Sequence, residues 1–187
     1  MLYQANRLTN KRVPGFERLE SKLVLAGNVI GDLLAYGGNF RGGVHVAVAD
    51  FNTDGVPDVV TGAGSGGTPH LRLWDGATLK EMFGFDDAYP RNFRGGVHVA
   101  VGDFNRDGTP DIVTGAGPGG GSHVRVWDGK AMTDGQRREL FGIPEAYPGH
   151  SGGVHVAAAD FNRDGIADIV TGAGGGGGHR SDSLQVG

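Results

Sequence analysis

The chain has 187 residues, of which 37 are glycine and 8 proline, while apolar residues still make up 38%. Glycine usually supplies about 7%, so this excess, with apolar residues in short blocks, describes many short elements joined by turns and excludes long helices and membrane-spanning runs. A formal charge of −4 argues against a nucleic-acid partner held by phosphate neutralisation, and the absence of cysteine excludes a disulfide framework, thiolate metal sites and cysteine catalysis.

In chain order, residues 1–22 match nothing else in the sequence and lack the uninterrupted apolar stretch of a signal peptide. From residue 23 the chain is repetitive. Leu23-Val-Leu-Ala-Gly-Asn and Leu33-Leu-Ala-Tyr read as the third and fourth strands of a unit. Phe40-Arg-Gly-Gly-Val-His-Val-Ala-Val-Ala-Asp-Phe-Asn then returns at Phe93, and a third copy starts at Ser151. The anchoring residues Asp50, Asp103 and Asp160 set periods of 53 and 57 residues, and the extra length falls around Thr133-Asp-Gly-Gln-Arg-Arg.

Within a unit the apolar period is two. Val44, Val46 and Val48 alternate with His45, Ala47 and Ala49 in a first strand, and Asp58-Val-Val-Thr and Asp111-Ile-Val-Thr begin a second. Leu71-Arg-Leu-Trp and Val124-Arg-Val-Trp form a third. Asp75-Gly76 and Asp128-Gly129 predict two-residue hairpin turns of positive φ, and Leu79 to Phe85 a fourth strand. Four short antiparallel strands at this period describe an all-β chain of β-propeller blades. The units are 23–39 (the back half of a blade), 40–92, 93–149 and 150–187 (the front half of another), about three blade equivalents. Three is fewer than a closed propeller usually holds. Sequence on either side would satisfy the open edges, as would a homodimer completing a six-bladed ring; the unmatched residues 1–22 favour a fragment, hence a partial propeller.

Three segments carry the chemistry: Asp50-Phe-Asn-Thr-Asp-Gly-Val-Pro-Asp58, Asp103-Phe-Asn-Arg-Asp-Gly-Thr-Pro-Asp111 and Asp160-Phe-Asn-Arg-Asp-Gly-Ile-Ala-Asp168. All share D-x-N-x-D-G-x-x-D. Side-chain oxygens at positions 1, 3, 5 and 9 are Asp50, Asn52, Asp54 and Asp58; Asp103, Asn105, Asp107 and Asp111; Asp160, Asn162, Asp164 and Asp168. The backbone carbonyls of Val56, Thr109 and Ile166 at position 7 bring each set close to the six to eight oxygens calcium prefers. Zinc and copper favour nitrogen and sulfur, and magnesium suits a flexible loop of high coordination less well. An EF-hand is excluded because Thr61, Thr114 and Thr171 stand where its bidentate Glu would, and because the flanks are strands. A polar turn with Asn and Asp bonding their own backbone is the competing reading, and threefold retention of all four side chains weighs against it. About three Ca²⁺ per chain are expected.

The unit from Phe93 to Pro118 resembles the FG-GAP repeat of integrin alpha-chain propellers and bacterial secreted relatives, clearly over residues 40–187 and weakly over 23–39. The resemblance implies a calcium-binding β-propeller, extracellular or at the cell surface, used for adhesion or ligand recognition. Two departures stand out: Arg follows the Phe before the Gly-Gly pair, with the Phe lost to Ser151 in the third copy, and the closing Gly-Ala-Pro appears as Gly-Ala-Gly extended by a glycine run. Extracellular calcium modules bind at roughly 10⁻⁴–10⁻³ M, so the missing signal sequence again reads as a fragment of a secreted protein.

Other patterns fail in context. Three G-x-G-x-x-G matches (Gly62/Gly64/Gly67, Gly115/Gly117/Gly120, Gly172/Gly174/Gly177) precede strands, whereas a dinucleotide fingerprint must open a helix. Gly149-His-Ser-Gly-Gly153 enters a strand, unlike a hydrolase elbow. His45, His98 and His155 share one inner-strand position and His70 and His123 another; packing between blades is their expected role, a transition-metal or anion site the alternative. Trp74 and Trp127 read as blade core rather than sugar platforms. The predicted function is a calcium-stabilised binding module with a protein ligand and no catalysis. A carbohydrate-binding propeller is the alternative, and a domain of a polysaccharide-degrading enzyme a more remote one.

Overall fold

The computed structural model describes residues 22–25, 28–175 and 184–186. The segment 1–21, with its expected lack of repeat character, lies outside them. Strands β1 (Lys22–Leu25) and β2 (Asn28–Asp32) form an antiparallel pair. Two complete four-stranded antiparallel sheets follow in meander order. The first holds β3 (Val44–Ala49), β4 (Asp58–Ala63), β5 (Leu71–Trp74) and β6 (Glu81–Phe85). The second holds β7 (Val97–Gly102), β8 (Asp111–Ala116), β9 (Val124–Trp127) and β10 (Glu139–Ile143), with a short helix α1 (Gly129–Thr133) between its last two strands. A third sheet contains β11 (Val154–Ala159), β12 (Asp168–Ala173) and β13 (Leu184–Val186). These are the blades of a β-propeller.

The first hairpin repeats in register: Val44 pairs with Ala63 and Ala49 with Asp58, as Val97 with Ala116 and Gly102 with Asp111, and Val154 with Ala173 and Ala159 with Asp168. Because strand side chains alternate between faces, each sheet has two different faces. Ala47, Ala49, Val60, Leu71 and Leu73 of the first complete blade pack with Val97, Val99, Val101, Ile112 and Trp127 of the next. Ala100, Val113, Val124 and Val126 of that blade then pack against Val154, Val156, Ala158 and Ile169. The small residues let the inner strands approach. A Cβ on Gly62 would lie 2.2 Å from the Val97 carbonyl oxygen, and one on Gly115 2.4 Å from that of Val154.

The structure departs from the sequence reading at three places. The fourth strand of the first half-blade is β2, ahead of Leu33-Leu-Ala-Tyr, which instead links that half-blade to the next unit. β6 begins at Glu81 rather than Leu79. Asp75-Gly76 is not a two-residue turn: Asp75 N–H donates to the Lys80 carbonyl and Leu79 N–H to that of Asp75, and the positive φ of 57° belongs to Leu79. In the second blade Asp128 caps α1 by accepting from Ala131 N–H, so this turn also expands. Glycine is required at 76 and 129 for contact rather than for φ. A Cβ there would stand 1.9 Å from the Pro57 carbonyl oxygen and 1.8 Å from that of Pro110.

Candidate metal centres in the blade hairpins

Each candidate loop joins the first two strands of its blade, so the strand pairing places positions 1 and 9 beside each other. Position 4 is left-handed in all three loops (Thr53 59°, Arg106 60°, Arg163 61°), and so is the glycine at position 6 (Gly55 85°, Gly108 83°, Gly165 85°). These two reversals wind the backbone so that its N–H groups face the loop's own side chains. Asp50, Asp103 and Asp160 each accept from the glycine N–H through Oδ2, at 2.9, 3.0 and 2.9 Å. Asn52, Asn105 and Asn162 accept from Asp54, Asp107 and Asp164 N–H at 3.0, 2.8 and 2.8 Å. Asp54, Asp107 and Asp164 in turn accept from the N–H groups of Val56, Thr109 and Ile166.

Position 9 plays a separate part. Asp58 is fully buried; its Oδ2 accepts from Phe51 and Asn52 N–H and its Oδ1 from Gly76 N–H at 2.9 Å. Asp111, also fully buried, does the same with Phe104 and Gly129. One carboxylate thus ties the loop to the connection between the third and fourth strands. Asp168 is half-buried and accepts from Phe161 and Asn162 N–H and, more weakly, from the Asn162 amide at 3.4 Å. Burial first of all pushes the Asp111 carboxyl up; the N–H bonds from Gly129 and Phe104 oppose this, and the charges of Asp107 and Asp103 add to it. That repulsion would be relieved by a cation.

The donor set fits a hard cation in kind: three carboxylates, one carboxamide and a carbonyl at Val56, Thr109 or Ile166, on a backbone wound by a left-handed glycine. The Asp and Asn oxygens that accept a loop N–H each have a second lone pair. The described side chains are turned onto their loop amides. Among the described residues no three acidic or histidine side chains are gathered in an arrangement that could hold a metal ion.

The inner-strand histidines stack on one another. Ring centroids of His45 and His98, and of His98 and His155, are 4.2 Å apart, and none of the three rings has a hydrogen bond among the described residues. Burial, then the neighbouring imidazoles, hold His98 down to about 4 and lower His45. The sequence reading missed a second stitch, built on the threonines used above to exclude an EF-hand. Trp74 and Trp127 donate from Nε1 to Thr61 and Thr114 Oγ1, which also accept from Tyr36 and Tyr89 OH of the preceding link. Tyr147 and Thr171 repeat the pair. The recurring Ala-Tyr before each Gly-Gly was the available signal.

Ser151 precedes β11, and its carbonyl accepts from Gly119 N–H; the place that Phe40 and Phe93 hold edge-on to Tyr36 and Tyr89 is taken by His150 against Tyr147, not by Ser151. Asp86 pairs with Arg72 at 2.8 Å and Asp87 with Arg137. A cavity of about 360 Å³ opens beside Tyr36, Asn39, Phe40, Thr68 and His70.

Repeated antiparallel blades with a polar loop in each first hairpin define a β-propeller repeat protein. An FG-GAP-like repeat model matches residues 50–114 and an FG-GAP repeat model residues 152–184. Human integrin alpha-7 is 34% identical over 104 residues, covering 48% of this chain and 8% of the relative. Integrin alpha pat-2 of Caenorhabditis elegans is 29% identical over 153 residues, covering 70% of this chain and 12% of the relative. The chain belongs to the FG-GAP, integrin-alpha-like repeat family, and spans about a tenth of the length of these curated relatives.

Proposed function

We propose that this chain is a recognition module of the cell exterior whose blades are stabilised by calcium and whose ligand is a protein, with no catalytic step of its own. The observation that carries this reading is the recurrence of one wound loop, with identical oxygen donors, in three blades whose surroundings differ. Asp50, Asn52, Asp54, Val56 and Asp58 would hold the first ion, with the corresponding residues of 103–111 and 160–168 for the other two. Calcium binding to the folded chain alone would add about 2.7 kcal/mol per site at a hundredfold excess over Kd. Likeness to two integrin alpha chains supports adhesion or protein recognition over a purely structural role. Among the described residues no helix is long and apolar enough to cross a membrane.

The test has two parts. Thermal unfolding in calcium and in EGTA should differ by a clear rise in Tm with the ion. A panel of extracellular proteins, screened in parallel with a glycan array, should then give calcium-dependent protein hits. Sugar hits alone would replace the protein reading with the carbohydrate one, and equal Tm values would remove calcium.

A further inference from the structure

The calcium reading uses oxygen donors only and leaves unassigned the nitrogen donors that recur on the inner strands. His45, His98 and His155 hold the same place on β3, β7 and β11, and across the ladder they face Gly62, Gly115 and Gly172. Cross-strand partners share a face of the sheet. On that face the Val97 carbonyl of the next blade closes over Gly62, and the Val154 carbonyl over Gly115. The backbone of one blade therefore seats against the ring-bearing hairpin of the blade before it and sets consecutive imidazoles at a single spacing. Both pairs of ring centroids are 4.2 Å apart, with the planes inclined at 52° and 58°. The His45–His98 pair lies between the two complete blades.

Three features separate this column from packing alone. None of its rings has a hydrogen bond among the described residues, whereas His70 meets Thr68 Oγ1 and His150 the Gly174 carbonyl. No carboxylate acts on the column: burial and the neighbouring imidazoles lower His45 and His98, so at neutral pH each keeps a nitrogen lone pair instead of a second proton. The spacing, finally, matches a chelate. A metal about 2.1 Å from an imidazole nitrogen lies about 3.2 Å from the ring centroid, so two centroids 4.2 Å apart subtend about 80° at one ion. That is close to the right angle between neighbouring ligands in square-planar or octahedral coordination, and well below the tetrahedral angle of zinc. His45 and His98 are half-buried rather than sealed, so a hydrated ion can reach them.

We propose that neighbouring imidazoles of this column, His45 with His98 or His98 with His155, chelate one copper(II) or nickel(II) ion through their free nitrogens. The three rings do not converge on one point and no carboxylate joins them, so two imidazoles serve the ion and water fills the remaining positions. His98 belongs to both pairs, and the chain takes one ion. Imidazole selects these transition metals, and calcium, which seeks oxygen, does not compete for it. The site is thus separate from the loops 50–58, 103–111 and 160–168, which follow the opposite end of each first strand. It does not depend on whether those loops hold calcium.

The test is titration of copper(II) into the full chain, without and with excess calcium, read by calorimetry and by nitrogen hyperfine splitting in the copper paramagnetic resonance spectrum. The unaltered chain should take up one ion with two coordinated nitrogens under both conditions. His98→Gln removes the ring common to both pairs and should weaken binding by at least about tenfold, the scale of losing even an outer partner of a metal site. His45→Gln should weaken it only about twofold, because one of two equal pairs remains. The double variant His45→Gln, His155→Gln leaves His98 alone and should bind as weakly as His98→Gln. It gives the same answer through the outer rings if His98→Gln loses its circular dichroism spectrum. His70→Gln, outside the column, should bind as the unaltered chain does. No copper uptake, unchanged binding in His98→Gln or in the double variant, a spectrum with fewer than two nitrogens, or uptake that disappears in excess calcium would each overturn the proposal.

Discussion

Loops 50–58 and 103–111 differ from loop 160–168 in their surroundings far more than in their conformation. All three share the left-handed residues at positions 4 and 6 and the loop N–H bonds accepted by position 1 Oδ2 and by the position 3 and 5 side chains. Only position 1 Oδ1 differs, accepting from Asn105 and Arg106 N–H at Asp103 but from Asp54 and Asp164 N–H at Asp50 and Asp160. In the first two, the Asp at position 9 is fully buried and reaches a glycine N–H just past the end of the adjoining third strand. In the third, Asp168 is half-buried, with its described bonds confined to its own loop, and the adjoining Phe161 is exposed. Loop shape is therefore local, written in nine residues, whereas anchoring is a property of neighbouring blades. Ligand geometry and blade stability should separate in experiment.

The largest effects should come where anchoring is complete. Asp111→Ala would strip the part-buried N–H of Phe104 and the buried N–H of Gly129 of their acceptor, at about 1–3 kcal/mol each. Urea unfolding should show a loss of about 3–5 kcal/mol, against about 1 kcal/mol for Asp168→Ala. Phe51→Ala and Phe161→Ala should diverge in the same way in dilute chain. A loss of about 3–5 kcal/mol is expected for the buried ring and about 0.5 kcal/mol for the exposed one. Equal losses within either pair would break the comparison.

Calcium should sharpen it from the other side. If the ligand geometry is local, Asp103→Asn and Asp160→Asn should each remove one ion from the stoichiometry. The fall in the calcium-dependent part of stability should be similar, up to about 2.7 kcal/mol at a hundredfold excess over Kd. Loss of all sites on altering one would mean that the loops are not independent.

A smaller effect concerns the histidine stack. Burial and the adjoining His45 and His155 hold His98 down to about 4, while in the unfolded chain it titrates at about 6.5. The unfolded state therefore takes up the proton first. Stability is at full strength above about pH 6.5 and declines as the pH falls toward 4. His98→Gln should flatten that part of the pH–stability curve relative to the unaltered chain. The smallest effect is expected for Arg106→Ala, where both partners are about half exposed and the loss should stay within about 1 kcal/mol.

Much of this was legible in the sequence because the repeat compares the chain with itself. The valine alternation marked the first strand, and D-x-N-x-D-G-x-x-D marked the loops with their reversing glycine. The Asp75-Gly76 turn was not legible, since Asp-Gly signals a hairpin whether the glycine serves φ or, as here, the approach of the Pro57 carbonyl. Nor did spacing distinguish Asp58 from Asp50. Their different roles depend on Gly76, eighteen residues on, coming within hydrogen-bond reach. The Tyr36–Thr61–Trp74 stitch joins neighbouring units and so falls outside any single repeat.

The central claim is that the three loops hold calcium, and isothermal titration of calcium into the calcium-free chain tests it most directly. The account predicts saturable binding of three ions per chain at about 10⁻⁴–10⁻³ M, falling to two when Asp160 is replaced by Asn. A titration without saturable heat, in a chain whose Tm is the same in calcium and in EGTA, would contradict it.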